Sequence, residues 1–223
     1  MPRLARGRKT HLTQEEIAVE ALRQFDVGQD PSIRSLAAAL GVAPTAIYHH
    51  FPSRSAIVDA ALGIVWREAS KEGFRLLEAA DPEDPTDLLV TAALATRRAF
   101  GNHHQIAPYI AATPGASEQL AANLGLLAGT FEALGLRGEE AGRAFHAYGS
   151  FAVGSTLVLA ARLNRGDDGS KGKPAPGGDA KDELADTQAA LEAMIDLSYA
   201  NPDRDEELFV DGLRRLIASF VPA

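Results

Sequence analysis

The stretch that decides the fold is residues 32–51, which read SIRSLAAALGVAPTAIYHHF. Ser32 is a typical N-cap residue, and an apolar stripe follows at helical spacing until Gly41, which can end a helix with a positive φ. Pro44 fits the first turn of a second short helix, which must end before Pro52. Two short helices joined by a three-residue turn predict a helix-turn-helix.

The apolar spacing on either side of this stretch is also helical. Thr13 and Glu16 form a capping box for a helix that ends near Gly28, and Ser53 caps a long helix that runs toward Leu77. No run of alternating β-branched residues indicates a strand, so the predicted fold class is all-α. Further helices are expected over residues 86–100, 103–112, 116–135, 139–164, 183–199 and 204–220.

Length and composition limit the classes of protein that fit. The 223 residues are 46% hydrophobic, enough for one large or two small helical domains with a real core. The absence of cysteine excludes a disulfide framework, a thiolate nucleophile and a Cys-ligated metal site. We expect a helix-turn-helix domain over residues 1–52 and a larger helical domain over 53–223, with a flexible loop at 165–181 that is rich in glycine and charge.

The charge is distributed unevenly along the chain. The net charge is −8, which by itself argues against a phosphate-backbone partner. Residues 1–60 hold seven basic and six acidic side chains, however, whereas residues 61–223 hold 15 and 24. The acidic excess therefore belongs to the larger domain, and a nucleic-acid partner for the first domain is not excluded.

The helix-turn-helix segment resembles the DNA-binding domain of the TetR family of bacterial transcriptional repressors. The resemblance rests on LTQEEI at residues 12–17, SLAAALGV at 35–42, AIYHHF at 46–51 and PSR at 52–54. It implies that Thr45, Tyr48 and Arg54 contact DNA phosphates, and that Ala43, Pro44, Ala46 and His49 lie nearest the bases. Alanine and proline side chains cannot make bidentate bonds to bases, so readout would depend on methyl contacts, on His49 and on the basic arm at residues 3–9.

The rest of the chain resembles, more weakly, the regulatory half of the same family in its tetracycline-repressor-like branch. The matching stretches are TRRAF at residues 96–100, ATP at 112–114 and residues 145–157. The resemblance implies a homodimer, held by the helices at 144–163 and 204–220, and a cavity for a small-molecule inducer that is apolar or aromatic. The residues predicted to contact this ligand are Trp66, Phe100, His104, Tyr109, Phe131, His146 and Phe151.

No metal or cofactor is expected. Branch members that bind magnesium–tetracycline use histidines at positions that align with Ser70 and Tyr109 here. His103 and His104 are adjacent, so they point to different faces of a helix, and no carboxylate stands three or four residues from either. No nucleophile elbow, phosphate loop or paired-carboxylate motif supports catalysis, so no enzyme activity is expected.

Two stretches bear on location. The basic first residues are followed by a polar helix start rather than an apolar core, so no export signal is predicted. Residues 144–161 contain no charged side chain and reach the lower length limit for a membrane span, but they carry several polar groups. A buried helix in a cytoplasmic protein without a membrane partner is the favoured interpretation.

These observations predict a ligand-responsive dimeric repressor that binds double-stranded operator DNA of palindromic sequence and is released by its inducer. One alternative is a regulator that needs its ligand to bind DNA, either as an activator or with a corepressor. Another, from a different class, is a helical small-molecule-binding enzyme that only resembles a regulator.

Overall fold

The computed structural model describes residues 12–80, 83–110, 118–166 and 202–221. Within these ranges the secondary structure is helical and contains no strand, so the predicted all-α class is confirmed. The basic arm, the helix predicted over 183–199 and most of the loop predicted at 165–181 lie outside the described residues. The described helices are α1 Gln14–Asp26, α2 Ile33–Leu40, α3 Pro44–Tyr48, α4 Arg54–Ala80, α5 Pro85–Asn102, a 3-10 helix Ala107–Ile110, α6 Glu118–Ala133, α7 Gly138–Asn164 and α8 Pro202–Ala218.

The first three helices begin and end where local side chains satisfy the backbone. Thr13 and Glu16 form the predicted capping box of α1, and Ser32 forms another with Ser35 at the start of α2. Gly41 ends α2 with a φ of 70°, a left-handed conformation that glycine adopts without steric cost. Pro44 occupies the first turn of α3. Short-range chemistry therefore fixes the helix-turn-helix.

Two hydrophobic clusters organise the interior. The first joins α1, α2 and α3 to the N-terminal part of α4 and continues to the end of α5; its fully buried side chains include Ile17, Leu36, Ile47, Ile57 and Phe100. The second lies among α5, α6, α7 and α8, and it is built on Leu89, Phe131, Tyr148, Leu213 and Ile217. Helices α4 and α5 make the most extensive helix pair of the described chain. The helix-turn-helix thus packs on the larger domain through a shared core.

The prediction of a helix over residues 103–112 is wrong. Helix α5 ends at Asn102, His103 leaves the helical conformation, and only the 3-10 helix Ala107–Ile110 follows. Pro108 has no backbone N–H to donate to the preceding turn, so an α-helix cannot continue through it without losing a hydrogen bond. His103 is instead held by carboxylates of two other helices.

Helix α7 contains the uncharged stretch that the sequence singles out. By length and composition it is the one described helix that could cross a membrane. It packs against α5, α6 and α8, and its buried Ala144, Tyr148 and Ala152 belong to the second cluster, while Ala160 belongs to the first. Its apolar character is therefore weak evidence for a membrane span.

A buried cation joins α5 to α7 and α8. Arg97 is only 4% exposed; its guanidinium pairs with Asp205 and lies 4.9 Å from the centre of the Phe209 ring. It also donates to the carbonyl and hydroxyl oxygens of Ser155, at 2.7 and 2.8 Å. The neighbouring Arg98 pairs with Glu206 but is 38% exposed on its side chain. The two adjacent arginines therefore both pair with a carboxylate of α8, but Arg97 is buried and Arg98 is partly exposed.

We expect the two arginines to differ in their contribution to stability. Arg97→Ala removes a buried cation and its bonds to Asp205 and Ser155, leaving Arg162 as the partner of Asp205, and should lower the free energy of unfolding by about 2 kcal/mol. Arg98→Ala removes an exposed pair and should cost about 1 kcal/mol or less. Urea unfolding of both variants measures the difference, and equal losses would contradict it.

Candidate nucleic-acid interface and internal cavity

The second helix of the helix-turn-helix presents its small polar face outward. Leu36 and Ile47 are fully buried against α1 and α4, which orients α3. Gln14 of α1 donates to the His50 carbonyl at 2.8 Å and fixes the end of the motif. Helix α3 ends at Tyr48, so it is about 7.5 Å long. This length still fits a major groove.

Most of the residues predicted to contact DNA lie together on this outward face. Ala43, Pro44, Thr45, Tyr48 and His49 are exposed, and Ala46 is half-buried. Tyr48 is notable because its large ring is 56% exposed and takes no part in the core. An aromatic side chain with a free hydroxyl, beside small residues, can lie against a groove and donate to a phosphate.

Arg54, the remaining predicted DNA contact, is bonded within the chain. Its guanidinium pairs with Asp30, donates to the Pro31 carbonyl at 2.9 Å and donates to the Tyr109 hydroxyl at 3.2 Å. The Tyr109 ring in turn packs on Phe25 of α1, with 5.2 Å between ring centres. A phosphate contact by Arg54 would require some of these bonds to be exchanged. In this arrangement Arg54 ties the helix-turn-helix to the 3-10 helix of the larger domain.

His103 makes a second polar link between the same parts. Its Nδ1 lies 2.9 Å from Asp26 at the end of α1, and its Nε2 lies 2.9 Å from Glu68 of α4. Burial lowers the pKa of His103, but the hydrogen bonds to the two carboxylates and their negative charge outweigh this effect and raise the pKa. Two carboxylate acceptors on one ring favour the doubly protonated imidazolium.

A cavity of about 280 Å³ lies between α4, α5, α6 and α7, and it is open to solvent beside the exposed Phe74 and Leu126. Its walls are mainly apolar, with four aromatic side chains among them. None of the described lining residues is charged. The lining residues are Trp66, Ala69, Ser70, Gly73, Phe74, Leu77, Leu88, Ala92, Ala93, Thr96, Leu126, Leu127, Thr130, Phe145, Tyr148, Gly149, Ala152 and Val153.

The hydroxyl groups of the cavity wall are bonded to backbone carbonyls. Ser70, Thr96 and Thr130 each donate to the carbonyl four residues earlier in their own helix, at 2.9, 2.9 and 3.0 Å. The Tyr148 hydroxyl donates to the Leu89 carbonyl at 2.9 Å, and burial raises its pKa well above the usual range, so it stays protonated. The described wall therefore offers polar atoms without a net charge.

Of the seven predicted ligand contacts, Trp66 lines the cavity. Phe100 lies behind Trp66, edge to face at 5.0 Å, and Phe131 is fully buried in the second cluster. Tyr109 holds Arg54, His104 bonds to Asn164, and His146 is exposed. Phe151 stacks on Phe209. The seven residues therefore do not lie together at one site, and Trp66 is the one among them that lines the cavity.

Sequence reasoning did not select most residues of the wall. A usable pattern exists in α4, where Trp66, Ser70, Gly73 and Leu77 follow one another at steps of four, three and four, with Phe74 next to Gly73. Because serine and glycine have small side chains, an apolar stripe that contains them leaves space beside the helix that larger core side chains would fill. In the described ranges, no three His, Asp or Glu side chains are grouped so that they could hold a metal ion.

The His103 contact should make stability depend on pH. Because its pKa is raised above the ordinary 6.5, its contribution is fully present below about pH 6.5 and is lost as the pH rises through the raised value. The difference in unfolding free energy between the protein and His103→Gln should therefore shrink from about pH 5.5 to about pH 8.5. The exposed His49→Gln serves as the matched control. A difference that is constant with pH would show that the charge of His103 does not matter.

Comparisons with known proteins agree with this architecture. A model of the family described as bacterial regulatory proteins, tetR family, matches residues 26–61, which contain α2, α3 and the start of α4. Comparison with curated protein sequences finds no significant match.

The fold is also that of solved regulators. A possible TetR-family transcriptional regulator from Streptomyces coelicolor A3(2) superposes with a TM-score of 0.71 at 22% identity, covering 92% of this chain and 97% of that one. ActR from Streptomyces coelicolor, in complex with actinorhodin, gives 0.70 at 19% identity, with 95% and 96% covered. A TetR variant from Acinetobacter baumannii AYE, in complex with minocycline, gives 0.63 at 25% identity, with 94% of each chain covered. The tetR family model thus matches the helix-turn-helix segment, and the solved structures share the fold over nearly the whole length of the chain.

Proposed function

We propose that this protein is a dimeric repressor that binds a palindromic operator through α2 and α3, and that a small molecule in the cavity between α4, α5, α6 and α7 releases it from DNA. The observation that carries the proposal is the position of α4. This helix starts at Arg54, beside the helix-turn-helix, and its middle turns contribute Trp66, Ser70, Phe74 and Leu77 to the cavity wall. One rigid element therefore touches both candidate sites.

Charge and exposure support DNA as the partner of the first domain. The outward face of α3 carries no charge and, apart from Tyr48, only small side chains, so it can approach base edges closely, while the acidic excess lies in residues 61–223. Arg34 is exposed and can lie near a phosphate, and the sequence supplies further basic side chains at residues 3–9, outside the described residues. The expected boundary between the domains, after residue 52, falls just before α4 begins.

Ligand release follows from the packing of α4. The helix contacts α1 on one side and α5 on the other, so a ligand that shifts its middle must also shift α1 or strain the Arg54 and His103 contacts. In a dimer this movement changes the spacing of the two recognition helices. Ligand and operator then weaken each other's binding by the same factor.

Measuring DNA binding with and without ligand shows whether the ligand abolishes or restores it. A ligand that restores DNA binding instead of abolishing it indicates the activator or corepressor alternative. Absence of sequence-specific DNA binding together with turnover of a bound compound indicates the helical enzyme. A compound that leaves operator affinity unchanged while filling the cavity contradicts the coupling through α4.

The DNA-binding face can be tested on operator sequences selected from a random DNA pool with the purified protein. Tyr48→Phe removes only an exposed hydroxyl, so the fold should be intact while affinity falls about tenfold, the value of one hydrogen bond to a charged acceptor. Because tyrosine is neutral, the dependence of affinity on salt should not change. Fluorescence anisotropy measures both quantities.

Thr86→Val is the control for this variant, because it removes a hydroxyl from the first turn of α5, whose early turns pack in the second cluster and not beside the helix-turn-helix. We expect Thr86→Val to leave the affinity for operator within about twofold if the DNA contact belongs to Tyr48. Unchanged affinity in Tyr48→Phe would remove its hydroxyl from the interface.

The proposed dimer requires an apolar face on the long helices. On α7, Val158 is 61% exposed, and Ser150, Gly154 and Ala161 are exposed at neighbouring positions of the same helix. Small residues permit close contact with a second copy across a two-fold axis. This face is consistent with the expected bundle of the helices at 144–163 and 204–220.

We expect Val158→Glu to dissociate the dimer, because each two-fold contact would bring two carboxylates together in a dry interface. The dimer dissociation constant, measured by sedimentation equilibrium, should rise about a hundredfold. Val19→Glu changes a similarly exposed valine on α1 and should leave the dimer intact. Equal behaviour of the two variants would show that this face of α7 is not the interface.

A further inference from the structure

An exposed carboxylate is bonded to the arginine at the start of α4. Arg54 pairs with Asp30 and donates through Nε to the Pro31 carbonyl at 2.9 Å. Asp30 and Pro31 directly precede Ser32, the N-cap of α2, so the capping box that fixes this turn also places the two acceptors. The side chains of Arg54 and Asp30 are 38% and 69% exposed, so the pair lies at the surface. The start of α4 therefore presents a cation that is already matched by a carboxylate.

A side chain of the larger domain contacts both members of this pair. The Tyr109 hydroxyl accepts from Nη2 of Arg54 at 3.2 Å and donates to the Asp30 carboxylate at 3.3 Å. The guanidinium carbon of Arg54 also lies 5.6 Å from the centre of the Tyr109 ring. Asp30 belongs to the turn before α2, Arg54 to the start of α4 and Tyr109 to the 3-10 helix. The pair is therefore stabilised from outside the helix-turn-helix.

The predicted phosphate contact of Arg54 uses the same guanidinium. The proposed interface lies on α3, which ends at Tyr48, six residues before Arg54. A phosphate that bonds to Arg54 either displaces the Asp30 carboxylate or lies beside it, and two anions on one cation repel each other. An arginine–phosphate bond is charge-assisted, so it can still form, but the internal pair opposes it in both cases.

We propose that Asp30 is a positioning residue that competes with DNA phosphates for Arg54, and that the Tyr109 hydroxyl strengthens this competition. The proposal rests on the proposed function in taking DNA as the partner of the helix-turn-helix. A phosphate contact carries no sequence information, so Asp30 lowers the affinity for an operator and for unrelated duplex DNA alike. Selection of the operator then depends on the exposed face of α3, and Arg54 sets the overall strength of binding.

Asp30→Asn tests the competition, because it removes the negative charge and keeps the size of the side chain. We expect the whole chain with this change to bind both a selected operator and an unrelated duplex of equal length about fivefold more tightly, the value of one exposed ion pair. The dependence of affinity on salt should steepen by up to about one unit, because Arg54 then meets a phosphate as an uncompensated cation. Fluorescence anisotropy at several salt concentrations measures both quantities.

The same change in an Arg54→Ala background separates competition from a general effect of charge. If Asp30 acts through Arg54, Asp30→Asn should change the affinity by less than about twofold once Arg54 is absent. Glu15→Gln is the matched control, because Glu15 is another exposed carboxylate that pairs with an arginine, Arg67 of α4, at 2.9 Å. Arg67 is not a predicted DNA contact, so the effect of Glu15→Gln should be the same with and without Arg54.

Tyr109→Phe tests the contribution of the larger domain, because it removes the hydroxyl and keeps the ring that packs on Phe25. We expect the affinity for both duplexes to rise about twofold in the otherwise unchanged protein, and to stay constant when Asp30→Asn or Arg54→Ala is already present. If Asp30→Asn fails to fold, Tyr109→Phe with and without Arg54→Ala decides the proposal.

Four results would overturn the proposal: unchanged or weaker DNA binding by folded Asp30→Asn, an equal gain from Asp30→Asn with and without Arg54, unchanged affinity in Tyr109→Phe, or no binding of either duplex by the protein. A protein that selects an operator but gives one of the first three results contradicts this proposal alone. A protein whose variants change the affinity for unrelated DNA as expected, but which selects no operator, contradicts the proposed function alone.

Discussion

Helix α4 packs on two partners at once, and the other parts of the molecule depend on that packing. Its first turns bury Ile57, Val58 and Ala61 in the cluster shared with α1, while its later turns lie against α5 and border the cavity. An α-helix is stiff along its axis, so the two ends cannot move independently without losing buried apolar contact. The helix-turn-helix is therefore positioned by the larger domain, and the proposed regulation uses the same contact that stabilises the fold.

Polar contacts at the end of α5 reinforce this arrangement, and they form because α5 ends at Asn102. The chain leaves the helix at His103, which places the imidazole between Asp26 and Glu68 and then brings Tyr109 onto Phe25 and Arg54. A helix continued through residue 112 would carry both side chains along a different path. The end of α5 at Asn102, which the periodicity of the sequence did not predict, therefore allows His103 and Tyr109 to make polar contacts with α1 and α4.

The candidate sites differ in how far they could be predicted. The residues predicted to contact DNA lie mostly on or beside one short helix, so the motif and its spacing were enough to predict that Thr45, Tyr48 and His49 are exposed together. The cavity is different, because Phe100, Phe131 and Trp66 are equally apolar in the sequence. Phe100 and Phe131 are enclosed by neighbours, whereas Trp66 faces open space. Whether an aromatic side chain fills a core or lines a cavity depends on what four other helices place beside it.

The sequence by itself determined the helical class, the limits of the helix-turn-helix and the division of charge between the two parts of the chain. Capping residues, prolines and a left-handed glycine set the ends of helices through interactions within three or four residues, so these ends can be predicted without knowing the fold. Only the tertiary structure decided where the cavity lies, that its hydroxyl hydrogens are already donated, and that Arg54 is held by Tyr109, which follows it by 55 residues. Such contacts arise because buried polar and apolar groups find partners across helices, and local sequence carries no record of those partners.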